Sequence, residues 1–189
     1  MLEAKEVRER QAAPRAMSEA AAVRRLPRGT RFSLRLRPAA ASRLGSVAGF
    51  RLDQDINRMT TTGERRSLRL GPDEWLLLAP EEEGEDLAAA IAGELGETFH
   101  ALVDVGHREV AFEVEGPSAA EVINSGCPLD LREAAFAAGS ATRTLLAKAD
   151  IVLARPGEAP VWRVECGRSF AAYVEGWLKE AAASVSGRR

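Results

Sequence analysis

The chain has 189 residues, of which 46% are apolar, and a formal net charge of -2 at pH 7. This length and apolar content suit one compact domain or two small, closely packed lobes. The near-neutral charge argues against nucleic acid as the main partner, because phosphate binding needs a concentrated excess of Lys and Arg.

Membrane and secretory signals are not expected. No run of 18 apolar residues occurs, and the basic, Ala-rich start lacks the continuous apolar core of a signal peptide. The two cysteines, Cys127 and Cys166, are too few for a disulfide framework, so a reducing cytoplasm is the expected location.

Residues 1–28 differ in composition from the rest of the chain. Charges of both signs alternate there, Pro14 interrupts them, and a short apolar run follows at residues 20–23. We expect an N-terminal extension, which is either a disordered tail or an arm that becomes ordered on a partner.

The first half of the body begins near Thr30 and predicts a strand followed by a helix. Apolar residues alternate at 32, 34 and 36, the period of a half-buried strand. Pro38 suits the first turn of a helix, which we expect to run to Ala48, with Leu44 facing inward, and to stop at Gly49.

A hairpin and a second helix follow. Residues 67–70 and 75–78 predict paired strands joined by a turn that contains Pro72, and the second strand is apolar on both faces, as in a central strand. The helix is indicated by apolar residues at intervals of four, which are Leu87, Ile91 and Leu95.

The stretch from Val103 to Pro117 predicts a strand, a tight break, a second strand and a proline-initiated helix. Residues 140–153 are long for one strand, and we place a break near Ala149. A strand at 161–166 comes next. The closing helix keeps one face apolar through Phe170, Val174, Trp177, Leu178 and Ala181.

This order of elements occurs twice. Antiparallel strands with helices on one side predict an α+β fold, here of two pseudo-repeated antiparallel β/α lobes at about residues 29–104 and 105–185.

The residues with chemical potential do not form a catalytic pattern. His100 and His107 flank an apolar strand without metal-ligand spacing or a nucleophile, so structural roles are expected. Cys127 would need a pKa-lowering neighbour to be a nucleophile, and it follows a helix C-terminus, where the dipole disfavours a thiolate. Paired metal ligands and phosphate-binding loops are also missing from the sequence. We therefore assign no catalytic, cofactor-binding or metal-binding residue.

Arginine and tryptophan side chains point instead to a partner interface, which we predict at Arg108, Arg143, Arg168 and Trp177. These residue types most often anchor protein interfaces. The alternative is that the aromatic residue belongs to the core and the arginines are solvated.

Five stretches carry a family resemblance: residues 70–77 (LGPDEWLL), 103–108 (VDVGHR), 126–131 (GCPLDL), 142–149 (TRTLLAKA) and 168–174 (RSFAAYV). Together they resemble the gamma subunit of heterotetrameric sarcosine oxidase over about residues 30–183. The consistent order of the stretches is more specific than any one of them.

The resemblance implies a fold similar to the folate-binding fold of glycine cleavage T-protein. It also implies membership of a cytoplasmic complex that demethylates sarcosine to glycine, with H2O2 and formaldehyde or 5,10-methylenetetrahydrofolate as products. In that family FAD, FMN, NAD, zinc and tetrahydrofolate belong to the alpha, beta and delta subunits. The gamma subunit has a structural role.

The sequence departs from the T-protein pattern. The aminomethyl-transferring relatives carry an Asn followed by paired glycines and an essential aspartate, and related iron-sulfur maintenance proteins carry Lys-Gly-Cys. Neither pattern occurs here, since Ser125-Gly126 precedes Cys127. A free-standing folate-binding protein of one-carbon transfer remains the alternative, supported by the T-protein likeness.

Overall fold

The computed structural model describes residues 20–187, in which strands and a few helices alternate. The strands are β1 (Ala22–Arg25), β2 (Thr30–Leu36), β3 (Ser46–Val47), β4 (Phe50–Arg51), β5 (Arg58–Thr62), β6 (Arg65–Arg69), β7 (Glu74–Ala79), β8 (His100–Asp104), β9 (Glu109–Glu115), β10 (Ser140–Leu146), β11 (Ala149–Arg155) and β12 (Val161–Gly167). The α-helices are α1 (Pro38–Leu44), α2 (Gly84–Leu95), α3 (Ala119–Asn124) and α4 (Ala171–Ser186).

Ten of these strands form one antiparallel sheet in the order β1-β9-β12-β11-β10-β5-β6-β7-β2-β8, and β3 pairs with β4 separately. Within residues 20–187 the sheet is closed at neither end, so β1 and β8 are the edge strands of the described part of the chain. The antiparallel α+β architecture expected from the sequence is therefore present.

The sheet is strongly curled. Arg31 on β2 and Glu165 on β12 are separated by five intervening strands, yet Arg31 Nε lies 2.8 Å from Glu165 Oε2. Six steps of about 4.8 Å would place these strands about 29 Å apart in a flat sheet. The two halves of the sheet must therefore face each other, and we call the side on which they meet the inner face.

Alternation along the strands sorts the side chains between the inner face and an outer face covered by helices. On one half of the outer face, α1 and α2 pack over Leu34 and Trp75. On the other half, α3 and α4 pack over Phe112 and Val164. The inner face holds a smaller apolar cluster of Met59, Leu68, Leu76, Leu78, Val105, Ala141, Val152 and Ala154.

Most predicted elements are confirmed. The structure contains the strand after Thr30, the hairpin of β6 and β7, helix α2, the strand pair β8 and β9, strand β12 and the closing helix. Strand β7 is buried along its whole length between β6 and β2, as its apolar character on both faces predicted.

The predicted boundary of the N-terminal extension, at residue 28, lies too far along the chain. Strand β1 pairs with β9, and Ala20 and Ala21 are buried in the cluster under α3 and α4, so residues 20–28 belong to the body. Gly116 makes this packing possible, because its φ is 121° and a Cβ there would lie 2.9 Å from the Ala20 carbonyl oxygen. Residues 1–19 lie outside the described residues.

Three local predictions also need correction. Helix α1 ends at Leu44 because Gly45, with φ 69°, reverses the chain, so the predicted stop at Gly49 was wrong. The break after β10 falls at Ala147, with φ 51°, two residues before the predicted position. Phe170 precedes α4 and is 42% exposed, so it does not belong to the buried face of that helix.

The buried pair that joins the two halves of the sheet yields a stability prediction. Glu165→Leu leaves the buried Arg31 guanidinium without its carboxylate, and we expect the free energy of unfolding in urea to fall by about 3 to 5 kcal/mol. The double variant Arg31→Met with Glu165→Leu removes both charges and should be more stable than Glu165→Leu alone. Lys179→Met, which breaks an exposed helical ion pair with Glu175, is the control and should cost less than about 0.5 kcal/mol. Equal stability of Glu165→Leu and the wild type would contradict this account.

Candidate functional site

The inner face carries a buried ionic cluster of Arg31, Arg163 and Glu165. The Glu165 carboxylate accepts hydrogen bonds from Arg31 Nε at 2.8 Å and from Arg163 Nε at 2.6 Å, one on each oxygen. Arg31 also donates from Nη1 to the Gly29 carbonyl oxygen at 3.0 Å. The Arg31 and Glu165 side chains are each only 2% exposed. Buried charges of this kind are tolerated when they are paired and hydrogen-bonded, as they are here.

Glu109, at the start of β9, is the least compensated acid near this cluster. Its Oε2 atom is buried and has no hydrogen-bond partner within residues 20–187. Burial raises the pKa of the Glu109 carboxyl above its ordinary value, and the negative charge of Glu165 raises it further. Arg31, Arg143 and Arg108 oppose this effect. The carboxyl is thus shifted toward its protonated form.

Glu109 lines an open cleft of about 740 Å³ between the β1–β2 connection, the start of α2 and the turn from β8 to β9. Its basic side chains are Arg25, Arg28, Arg31 and Arg168, and its acidic ones are Glu81, Glu82, Glu85, Asp86, Asp104 and Glu109. Both signs of charge therefore line the cleft, and no single ligand class follows from its electrostatics.

Two of the predicted interface residues lie together beside this cleft. The Arg168 backbone N–H donates to the Arg108 carbonyl oxygen at 2.7 Å, and Arg168 Nη1 reaches the His107 carbonyl oxygen at 3.4 Å. Arg108 and Arg168 are both exposed. They form one basic surface at the turn between β8 and β9, which we call the basic turn surface.

The other two predicted interface residues lie elsewhere. Arg143 on β10 forms an ion pair with Glu74, and Glu74 is also paired with Arg35 at 3.0 Å. Trp177 on α4 is half-buried against the cluster under α3 and α4, and its Nε1 donates to Ser125 Oγ at 3.0 Å. The four residues therefore do not form a continuous patch.

The two histidines lie at a backbone contact and in an exposed turn, and the two cysteines are buried. His100 Nδ1 lies 2.7 Å from the Thr98 carbonyl oxygen, and His107 is exposed in the turn that borders the cleft. Cys127 and Cys166 are both buried and unbridged. Burial, with the charges of Glu165 and Glu109, raises the pKa of the Cys166 thiol to about 11, so it stays protonated at neutral pH.

Two further observations concern the part of the chain that the structure describes. No group of three or more His, Cys, Asp or Glu side chains is arranged there to hold a metal ion. Nor does any helix between residues 20 and 187 have the length and apolar character required to cross a membrane.

Sequence reasoning missed Arg31, Glu165 and Glu109. The alternation of Phe32, Leu34 and Leu36 predicted a half-buried strand, whose polar face is ordinarily solvated, but the curl of the sheet turns that face inward. The sequence offered a partial signal at Glu165 alone, a charged residue between the apolar Val164 and Cys166 in a predicted strand, but nothing that linked it to Arg31. Such a position favours a paired charge.

Comparison with known proteins gives a consistent result. Residues 35–184 match the family model described as sarcosine oxidase, gamma subunit family. The chain is 32% identical to the sarcosine oxidase subunit gamma of an Arthrobacter species over 167 residues, which cover 86% of this chain and 80% of the relative. It is 34% identical to the same subunit from Corynebacterium sp. strain P-1 over 139 residues, or 73% of this chain and 67% of the relative.

Solved structures show the same likeness. A chain of the heterotetrameric sarcosine oxidase from Corynebacterium sp. U-96, solved with pyrrole 2-carboxylate, is similar with a TM-score of 0.80 and 30% identity, over 88% of this chain and 85% of that chain. The glycine cleavage system aminomethyltransferase T from Bartonella henselae is similar with a TM-score of 0.68 and 13% identity, over 86% of this chain and 46% of that chain. The second likeness is one of fold alone.

The shifted carboxyl of Glu109 predicts a pH dependence of stability. Because the folded-state pKa is raised above the unfolded value, the stabilisation is present below the unfolded pKa of about 4.5 and is lost as pH rises through the folded pKa. Glu109→Gln cannot ionise, so the free energy of unfolding of this variant should gain on that of the wild type between pH 4 and pH 7. Urea titrations at several pH values measure the difference. A difference that is constant, or that shrinks with rising pH, would rule out the raised pKa.

Proposed function

This chain belongs to the sarcosine oxidase gamma subunit family, and on that basis we propose that it is the structural, non-catalytic subunit of a heterotetrameric sarcosine oxidase. In this role it supplies folded surface to the larger chains and leaves electron and carbon transfer to them. The complex would demethylate sarcosine to glycine in the cytoplasm, with H2O2 and formaldehyde or 5,10-methylenetetrahydrofolate as products.

The observation that carries the non-catalytic role is the state of the buried charges. Both oxygens of Glu165 are occupied by arginines, and the Cys166 thiol has a pKa of about 11. A catalytic acid, base or nucleophile requires a pKa near the working pH and access to substrate. Glu165 instead joins the two halves of the sheet, and Cys166 packs in the cluster under α3 and α4. Glu109 is the exception, because burial raises the pKa of its carboxyl and the residue borders a cleft.

The partners in this proposal are the alpha, beta and delta subunits, which would carry FAD, FMN, NAD, zinc and tetrahydrofolate. The support comes from the solved relative, which is a chain of a heterotetrameric oxidase, and from its 88% coverage of this chain. The basic turn surface, formed by Arg108 and Arg168, is the part of the predicted interface that is exposed and makes no ion pair within residues 20–187, which favours partner contact. Arg143 and Trp177 remain proposed contacts, although each has a partner within its own chain.

We also propose that the body consists of two pseudo-repeated lobes, about residues 29–104 and 105–185. The strand order supports this division, because β5-β6-β7-β2 in one half corresponds to β10-β11-β12-β9 in the other. Each run is followed by one edge strand, β8 or β1. The edge strand beside β9 comes from residues 22–25, so one piece of the second lobe precedes the first lobe in the chain.

Charge reversal at the basic turn surface tests the interface. The double variant Arg108→Glu with Arg168→Glu, co-expressed with the other three chains, should lower the amount of this chain that co-purifies by about tenfold, because repulsion replaces attraction at the contact. Arg43→Glu, an exposed arginine on α1, is the matched control and should co-purify normally. Equal recovery of the double variant and the control would remove Arg108 and Arg168 from the interface.

The non-catalytic role is tested on the isolated chain. Calorimetry with tetrahydrofolate, and a peroxide assay with sarcosine and oxygen, should show neither stoichiometric binding nor turnover, because the proposal places these activities on the other chains. The assembled complex is the positive control for both assays. Stoichiometric folate binding that Glu109→Gln abolishes would instead support a free-standing folate-binding protein and would contradict the proposal.

A further inference from the structure

Strand β8 is an exposed edge of the ten-stranded sheet. Its register with β2 pairs Val103 with Ser33 and Ala101 with Arg35, and the Val105 N–H donates to the Arg31 carbonyl oxygen at 2.9 Å. In an antiparallel ladder, residues alternate between bonding the neighbouring strand and pointing away from it. Val105, Val103 and Ala101 therefore bond β2. The backbone N–H and C=O groups of His100, Leu102 and Asp104 point outward, where β8 has no neighbouring strand within residues 20–187.

Apolar side chains continue from the interior onto this edge. Val105 is buried in the inner-face cluster, Val103 is 50% exposed, and Phe99, just before the strand, is 78% exposed. Together with Ala101, these residues share one face of the chain because they are spaced by two. We call Phe99, Ala101 and Val103 the edge stripe.

The usual protections of an edge strand are missing from β8. Natural edges are guarded by lysine, proline or bulges, but the sequence of β8 is HALVD. Its one acidic side chain, Asp104, accepts a hydrogen bond from the Gly106 N–H at 2.7 Å within its own turn. Helices pack against one face of both edge strands, α4 against β1 and α2 against β8, and in β8 this leaves the outward backbone groups uncovered within residues 20–187. An apolar, unprotected edge of this kind is typical of a strand that is paired in the assembled protein.

We propose that β8 receives an extended segment of another subunit of the oxidase as an eleventh strand. This inference rests on the proposed function and specifies how the chain docks. The outward N–H and C=O groups of His100, Leu102 and Asp104 select an extended backbone. The edge stripe selects a segment with apolar residues at alternate positions. Arg37 lies over the Phe99 ring at 5.5 Å and makes no ion pair within the described residues, so it selects an acidic residue at the adjacent end of the segment.

Residue-resolved hydrogen exchange on the intact four-chain complex tests the backbone pairing. The amides of Ala101 and Val103 bond β2 and serve as internal controls that should be protected with or without a partner. In the complex, the amides of His100, Leu102 and Asp104 should exchange at least about 100-fold more slowly than in the isolated chain. Exchange at the same rate in both samples would overturn the proposal, even though the complex had formed. Failure of the complex to form would instead refute the proposed function, and this inference with it.

A side-chain variant provides a second, independent measurement. Val103→Glu places a charge on the edge stripe without touching the β2 ladder, and we expect it to weaken binding to the other subunits by at least about tenfold. Ile56→Glu, at a 45% exposed position on the loop before β5, is the matched control and should bind as the wild type does. Wild-type binding by Val103→Glu would overturn the proposal. So would concentration-dependent dimers of the isolated chain that protect the His100, Leu102 and Asp104 amides, because the occupant would then be a second copy.

Discussion

The strong curl of the ten-stranded sheet, which the contact between Arg31 and Glu165 demonstrates, is the constraint on which the other surfaces of this protein depend. The two residues lie on strands that are six steps apart in the sheet, and they meet at 2.8 Å. A sheet of ten strands can satisfy this contact only by curling until its halves face each other. Once it curls, the polar side of each strand near the contact becomes interior, and every charge there needs a partner. The second oxygen of Glu165 obtains one from Arg163.

The same curl governs the remaining surfaces. The helices all lie on the outer face, where α1 with α2 and α3 with α4 cover separate apolar clusters. The inner face is filled by a small apolar cluster and paired charges, so the clearest open features are the cleft beside Glu109 and the edge at β8. This distribution is consistent with a protein that acts through its surface. The cleft lies between the two halves of the sheet. Because basic and acidic side chains both line it, its charge favours no single ligand class.

Local patterns predicted the elements of this fold well and its long-range contacts poorly. The alternation at 32, 34 and 36 and the four-residue period of Leu87, Ile91 and Leu95 depend on near neighbours, and both elements are present. Strand β1 was missed because its stability comes from pairing with β9, almost ninety residues away. The ionic cluster was missed for the same reason, since no local signal joins Arg31 to Glu165. The family resemblance was confirmed, because it rested on short stretches and their order along the chain, and both can be read directly from the sequence.

We propose that this chain contributes structure, and not chemistry, to a larger oxidase. The most direct measurement is to prepare the other three chains without it, determine their assembly state and oxidase turnover, and then add the purified chain back. This account predicts incomplete assembly and low turnover without the chain, and recovery of both on addition up to an equimolar ratio. Full assembly and full turnover of the three chains alone would contradict it.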